Sequence, residues 1–186
     1  MKVVEPIRDK AVLFAMLDYL KAKSERDYML FMVGINTGLR VSDILDLKVC
    51  DLKGKKDLAL REKKTGKAKT IPINADLFAA VKQYTKDKEH GAWMFPSREN
   101  ASQHIKRSRA YKILRNTAEI FGISNVGTHT MRKTFGYHFY HQNEHDVSLL
   151  MEIFNHSEPS ITLRYIGVTS EAVSDAMQKF SLALPR

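Results

Sequence analysis

The feature that most constrains this chain is a change of period. Apolar residues recur at helical spacing over Ala11 to Ala22 and Tyr28 to Ile35, switch to alternating or β-forming residues over Leu58 to Arg61 and Lys69 to Ile73, and then return to helical spacing. The two β-forming stretches flank Glu62-Lys63-Lys64-Thr65-Gly66-Lys67, a polar segment with glycine at its turn, which predicts a hairpin. Asn36-Thr37-Gly38 ends the second helix, where Gly38 suits the left-handed C-cap. A short helix from about Arg40 to Leu47 then directs Ile44, Leu45 and Leu47 inward, and a third strand is expected over Lys48 to Leu52.

Beyond the hairpin the spacing predicts helices over Ala75 to Lys86, Ser102 to Phe121, Thr128 to His141, Val147 to Phe154, Pro159 to Tyr165 and Glu171 to Leu182. Pro159 suits a first helical turn and turns the residue before it away from helical angles, so Asn155 to Glu158 is a tight loop between two helices. The last segment carries Val173, Ala176, Met177 and Phe180 on one face, fit to close its own core or to dock on a neighbour. The expected fold is mainly α with a small three-stranded antiparallel sheet, an α+β architecture. With no repeat, low-complexity tract or Gly/Ser/Pro linker, residues 1–186 read as a single domain.

Charge narrows the partners. Thirty Lys and Arg against 21 Asp and Glu leave +9, which points to a polyanion, with a merely basic surface as the plain alternative. Membrane-surface binding would gather the cations on one amphipathic helix, and here they are spread along the chain. Cys50 is the only cysteine, so an intramolecular disulfide is excluded and a cysteine-based zinc site disfavoured. The N-terminal Met-Lys-Val-Val-Glu-Pro lacks the apolar core of a secretion signal, and with the lone thiol this points to the cytoplasm.

Three segments carry polar residues where a plain core would not. They are Thr37-Gly38-Leu39-Arg40 with Asp43 three residues on, His129-Thr130-Met131-Arg132 at i, i+3 on one helical face, and His156 followed nine residues later by Tyr165. A phosphodiester under attack gathers negative charge on its non-bridging oxygens, which planar guanidinium groups bind bidentately. Tyrosine, with an ordinary pKa near 10, needs a base within reach to attack at neutral pH, and His129 is the natural candidate. His138, His141 and His145 with Glu144 nearby match a metal-binding spacing on one helical face, but packing and surface exposure account for them and no metal is assigned.

In this order the elements resemble the catalytic domain of the tyrosine recombinase (phage integrase) family. They run from Thr37-Gly38-Leu39-Arg40 through Lys64-Thr65-Gly66 with Ile71-Pro72-Ile73, Phe95-Pro96-Ser97 and His129-x-x-Arg132 to His156-Ser157 and Thr162-x-x-Tyr165. The resemblance implies that Tyr165 is the nucleophile, forming a 3′-phosphotyrosyl link to double-stranded DNA. It implies that Arg40 and Arg132 hold the phosphate, Lys64 acts as the hairpin acid, and His129 and His156 fill the remaining catalytic positions. Asp43 matches an acid that orients the first arginine. Thr130 and Asn155 depart from the Asp and Gly common in the family, which bears on loop geometry more than on chemistry.

The implied activity is metal- and ATP-independent cleavage and rejoining, with no cofactor, for integration or excision of a mobile element. The implied assembly is a homotetramer on DNA, monomeric when free. Topoisomerase-like nicking and resealing and a non-catalytic DNA-binding regulator are the alternatives, and a complete set of six catalytic positions argues against the regulator. Lys63, Lys67, Arg98, Lys106, Arg107 and Arg109 are candidate contacts to the DNA backbone, which add affinity and little sequence information. Relative to the family the N-terminal core-binding domain is absent, which favours a fragment over a naturally short member and implies weak, salt-dependent DNA binding.

Overall fold

The computed structural model describes residues 4–168 together with 177, 178 and 180. The helices are α1 (Lys10–Lys23), α2 (Glu25–Thr37), α3 (Val41–Leu45), α4 (Val49–Leu52), α5 (Ala75–Tyr84), α6 (Arg107–Ile120), α7 (Thr130–Gln142), α8 (Val147–Phe154) and α9 (Pro159–Ile166). The hairpin is β1 (Asp57–Arg61) paired antiparallel with β2 (Ala68–Pro72), in register from Asp57 opposite Pro72 to Arg61 opposite Ala68.

Helix α2 is the axis of the larger core. Leu30, Phe31 and Val33 are essentially inaccessible, and the helix packs against α1, α5 and α7. Its contact with α7 depends on Gly34, where an added Cβ would lie 2.4 Å from Met131 Sδ. The helix stops at Gly38 in the left-handed conformation (φ 62°), as expected, and a Cβ there would also meet the Phe135 ring at 2.4 Å. The turn that delivers Arg40 is therefore held by backbone conformation and by packing against α7. A smaller cluster buries Leu150, Phe154 and Ile166 between α8 and α9, with Phe135, Phe139 and Tyr165 packed on it. Asn155 caps α8 in the left-handed region (φ 55°), and Pro159 opens α9, so the tight loop expected there is present.

Three expectations need correction. The sheet among the described residues has two strands, not three. Residues Val49–Leu52 form one helical turn, capped by the Asp51 carboxylate, which accepts from the Lys48 N–H at 2.7 Å. Only Lys48 makes a β-bridge, to Trp93, while the Val49 and Cys50 N–H groups bond to Ala92 and His90 carbonyls. Third, the helix expected from Ser102 begins at Arg107. Asn100 draws the Ser102 N–H and hydroxyl into a local turn, and the Ile105 N–H bonds to the Phe95 carbonyl, which takes that stretch out of helical geometry. The segment Glu171 to Leu182 lies outside the described residues apart from 177, 178 and 180. None of the described helices is long and apolar enough to cross a membrane.

Candidate active site

Four elements converge on one polar cleft. The α2–α3 junction supplies Arg40, the N-terminal end of α7 supplies His129 and Arg132, the α8–α9 loop supplies His156, and α9 supplies Tyr165. His129 Nδ1 lies 3.1 Å from the Tyr165 hydroxyl, and the two rings meet edge to face at 6.3 Å between centroids. The His156 and Phe154 rings each stand 5.5 Å from the Tyr165 ring. His156 Nδ1 is 2.9 Å from the buried Thr162 hydroxyl, so the loop histidine is fastened to the helix that carries the tyrosine.

Arg132 is buried, and its guanidinium joins separate parts of the fold. Nη1 donates to the Gly38 carbonyl at 2.6 Å, Nη2 donates to the Phe154 carbonyl at 3.3 Å, and the guanidinium carbon sits 4.2 Å over the Phe154 ring. Two of its five N–H donors are thus committed to holding the group in place, and the guanidinium also engages the Tyr165 side chain. Arg40 is paired with the buried Glu62 carboxylate at 2.7 Å. That contact is close enough for strong attraction, yet Arg40 Nη1 makes no in-line hydrogen bond, so the carboxylate holds the charge without fully satisfying the donor.

The titrations are matched to proton transfer. His129 is solvent-exposed on one side, and partial desolvation of its ring, followed by the charges of Arg107, Arg132, Lys133 and Arg40, pushes its pKa below that of an ordinary histidine. Burial pushes Tyr165 up, with Arg132 and Arg40 pulling against it. At neutral pH the cleft therefore holds a neutral imidazole beside a protonated phenol. With the ring proton on Nε2, Nδ1 accepts the phenolic O–H. Burial, then Arg132 and Arg40, likewise lowers His156 and keeps it neutral in the free protein.

The hairpin joins this group through Glu62, whose carboxylate pairs with Arg40, while no contact among the described residues links Lys64 to the other site residues. Lys64 is exposed at its tip, and among the described residues no acid or acceptor engages its ammonium. Asp43 is buried, but its Oδ1 accepts from the Lys63 N–H at 3.1 Å, and the acid paired with Arg40 is Glu62. The expected orienting role of Asp43 is therefore exerted on the hairpin backbone, while the arginine is held by a residue that sequence reasoning read only as part of a polar turn. Lys69 was also missed. It is more than half buried, donates to the Ile153 carbonyl, and has its pKa pushed down to about 8 by burial and then by Arg132. Its position on a β-strand two residues before Ile71 offered no sign of this.

The backbone-contact candidates are exposed, but they do not share one helix. Arg98 and Lys106 precede α6, Arg107 and Arg109 lie in its first turn, and Arg107 donates to the Thr128 hydroxyl at 3.1 Å. Lys63 pairs with Asp46, and Lys67 donates to the Asn155 side chain at 2.8 Å. His138 is bonded to the Ile7 carbonyl at 2.9 Å and His141 to His145 at 3.0 Å. Among the described residues no three His, Cys, Asp or Glu side chains gather in a metal-binding group.

Comparison with known proteins identifies the family. The chain is 44% identical over 180 residues to the probable integrase/recombinase YoeC of Bacillus subtilis, covering 97% of this chain and 98% of that one. It is 29% identical over 160 residues to the tyrosine recombinase XerA of Pyrococcus furiosus, spanning 55% of that protein's length. The fold matches the crystal structure of XerA recombinase with a TM-score of 0.75 at 17% identity, covering 96% of this chain and 65% of that one. It also matches the catalytic domain of bacteriophage HP1 integrase with a TM-score of 0.61 at 20% identity, covering 98% and 99% of the two chains. The phage integrase family pattern matches residues 9–172, from the N-cap of α1 to beyond the tyrosine, and the chain belongs to that family of tyrosine recombinases.

Proposed function

We propose that this chain is a tyrosine recombinase catalytic domain that cleaves and rejoins double-stranded DNA for the integration or excision of a mobile element, acting in the cytoplasm. The observation that carries this reading is the Tyr165 hydroxyl held 3.1 Å from a neutral His129, beside the Arg132 guanidinium. In the reaction, Tyr165 Oη attacks the scissile phosphorus as its proton passes to His129 Nδ1. A tyrosine O–P bond forms, and the bond from phosphorus to the 5′-oxygen breaks. Arg40 and Arg132 bind the non-bridging oxygens where charge develops, with His156 as a further donor. Lys64 protonates the departing 5′-oxygen. The phosphotyrosyl link retains the energy of the broken ester, so attack by a new 5′-hydroxyl reverses the steps and reseals the strand.

The close approach of Tyr165 to its own chain's His129 supports attack in cis. Strand exchange between two duplexes requires paired sites, and the assembly we propose is a homotetramer on DNA formed from monomers. The cations at Lys63, Lys67, Arg98, Lys106, Arg107 and Arg109 are proposed to follow the duplex backbone.

A recombination assay with two DNA sites from the host element tests this reading. Exchanged ends together with a covalent protein–DNA adduct are expected. Relaxation of supercoils without exchange moves the function to a topoisomerase, and DNA binding with no adduct on a nicked suicide substrate moves it to a regulator.

A further inference from the structure

The hairpin tip that bears Lys64 has no core of its own. Residues 61 to 70 are exposed except for Glu62 and Lys69, so whatever sets the position of Lys64 acts through those few anchors. Glu62 is the most connected of them. Its backbone closes the turn, with its N–H donating to the Lys67 carbonyl at 3.0 Å and its carbonyl accepting from Gly66 at 2.8 Å. Its carboxylate divides between two partners. Oε2 accepts from the Thr65 hydroxyl at 2.8 Å, on the residue adjacent to Lys64, and Oε1 pairs with Arg40 at 2.7 Å.

A glutamate that is 4% exposed keeps its charge here because the Thr65 hydroxyl and the Arg40 guanidinium outweigh the effect of burial, which acts in the opposite sense. Burying a carboxylate is costly unless it is paired and hydrogen-bonded, and both conditions are met at once. The arrangement places one carboxylate between the cation that grips the phosphate and the turn that carries the acid.

We propose that Glu62 is a positioning residue for the cleavage step. By bonding Thr65 on one side and Arg40 on the other, it sets Lys64 at a fixed reach from the phosphate that Arg40 holds. This rests on the reading of Lys64 as the acid that protonates the leaving 5′-oxygen. Glu62 touches neither DNA nor the reacting atoms. The Asp43 contact to the Lys63 N–H secures the same turn from α3, so losing Glu62 loosens the tip without freeing it.

The test compares two DNA substrates under single-turnover conditions, one with the natural 5′-oxygen at the scissile bond and one with sulfur at that bridging position. A thiolate leaves without a proton, because thiols, with pKa values near 8.5, are far stronger acids than alcohols. A defect in delivering the proton therefore appears with oxygen and vanishes with sulfur. Lys64→Ala and Glu62→Ala are expected to slow adduct formation on the oxygen substrate, Lys64→Ala by about 10²-fold and Glu62→Ala by about 10-fold or more. With sulfur, Lys64→Ala should cleave within a few-fold of wild type, whereas Glu62→Ala, which also releases Arg40, should recover the part of its rate that Lys64 supplies and keep a residual slowing. Glu62→Gln, which keeps an acceptor for Thr65, should fall between Glu62→Ala and wild type. Thr65→Val cuts the same link at an exposed side chain that folding does not depend on, and should show the same sulfur rescue at smaller amplitude.

Equal slowing of Glu62→Ala and Thr65→Val on both substrates, or wild-type rates on oxygen, overturns the proposal. Wild-type cleavage with no sulfur rescue of Lys64→Ala overturns the acid assignment and the proposal with it. Absence of any adduct from wild-type protein on either substrate overturns the recombinase reading itself.

Discussion

Arg40 and Arg132 rise from elements rooted in the larger core, where α2 is buried on nearly every side, whereas Tyr165 and His156 rest on a cluster whose buried members are Leu150, Phe154 and Ile166. Local opening is least costly where little apolar surface is buried. The half of the site proposed to grip phosphate is accordingly the more deeply packed, while the half that carries the proposed nucleophile rests on little fully buried apolar surface and is expected to open more readily. Arg132 spans the two, bonded to Gly38 at the end of α2 and to Phe154 at the end of α8. Tyr165 is thus positioned by a bridge as much as by its own packing, which suits the proposed role of a tyrosine that forms and later releases a covalent bond to a strand.

The largest expected effect comes from breaking the thin layer. Phe154→Ala should cost about 3–5 kcal/mol, as is usual for emptying a buried phenylalanine site. Hydrogen exchange should place that loss in α8 and α9, with amides of α2 unchanged; equal acceleration in α2 would mean that the two regions unfold as one. Breaking the bridge comes next. Arg132→Lys removes the fork that reaches both carbonyls, and single-turnover cleavage should fall by about 10²–10³-fold, the range for losing one fixed donor to a developing anion.

A smaller effect is expected at the cap between α8 and α9. Asn155→Ala should destabilise by about 1–2 kcal/mol because alanine tolerates the left-handed backbone poorly, while Asn155→Gly should relieve the strain and lose only the contact to Lys67. Thermal unfolding distinguishes the two substitutions.

The mildest test is pH. His129 must be neutral to accept a proton, and its pKa is lowered, so cleavage should persist below the 6.5 of an ordinary histidine before it declines. The same direction holds for His138, His141 and His156, each lowered first by burial. The unfolded chain then binds more protons than the folded one near pH 6, so stability should fall as pH drops through about 6.5, where unfolded histidines titrate. A melting temperature that rises on acidification through that range contradicts these assignments.

How much of this was legible in the sequence follows from the range of the forces involved. Helical period located α2, α5, α8 and α9, Gly38 marked the left-handed cap of α2, and Pro159 marked the tight loop ahead of α9. Local signals failed where a partner distant in sequence decided the outcome. Val49 and Cys50 read as strand, yet the Asp51 cap and the carbonyls of Ala92 and His90 wind them into a turn of helix. Glu62 read as part of a solvated loop because nothing around it announces Arg40, 22 residues earlier in the chain. The catalytic candidates were legible as residue types at a spacing. The 3.1 Å approach of His129 to Tyr165 depends on the packing of α7 against α9, through the close contact of Gly136 with Ile166 and Phe154, which periodicity does not encode.

The most direct test of the central claim is to trap the adduct on a nicked suicide substrate, digest it, and locate the DNA-linked residue by mass spectrometry. The account predicts a single modified site at Tyr165, joined to the 3′-phosphate of the cleaved strand, and no adduct from Tyr165→Phe. A link at any other residue, or a 5′-phosphate attachment, contradicts it.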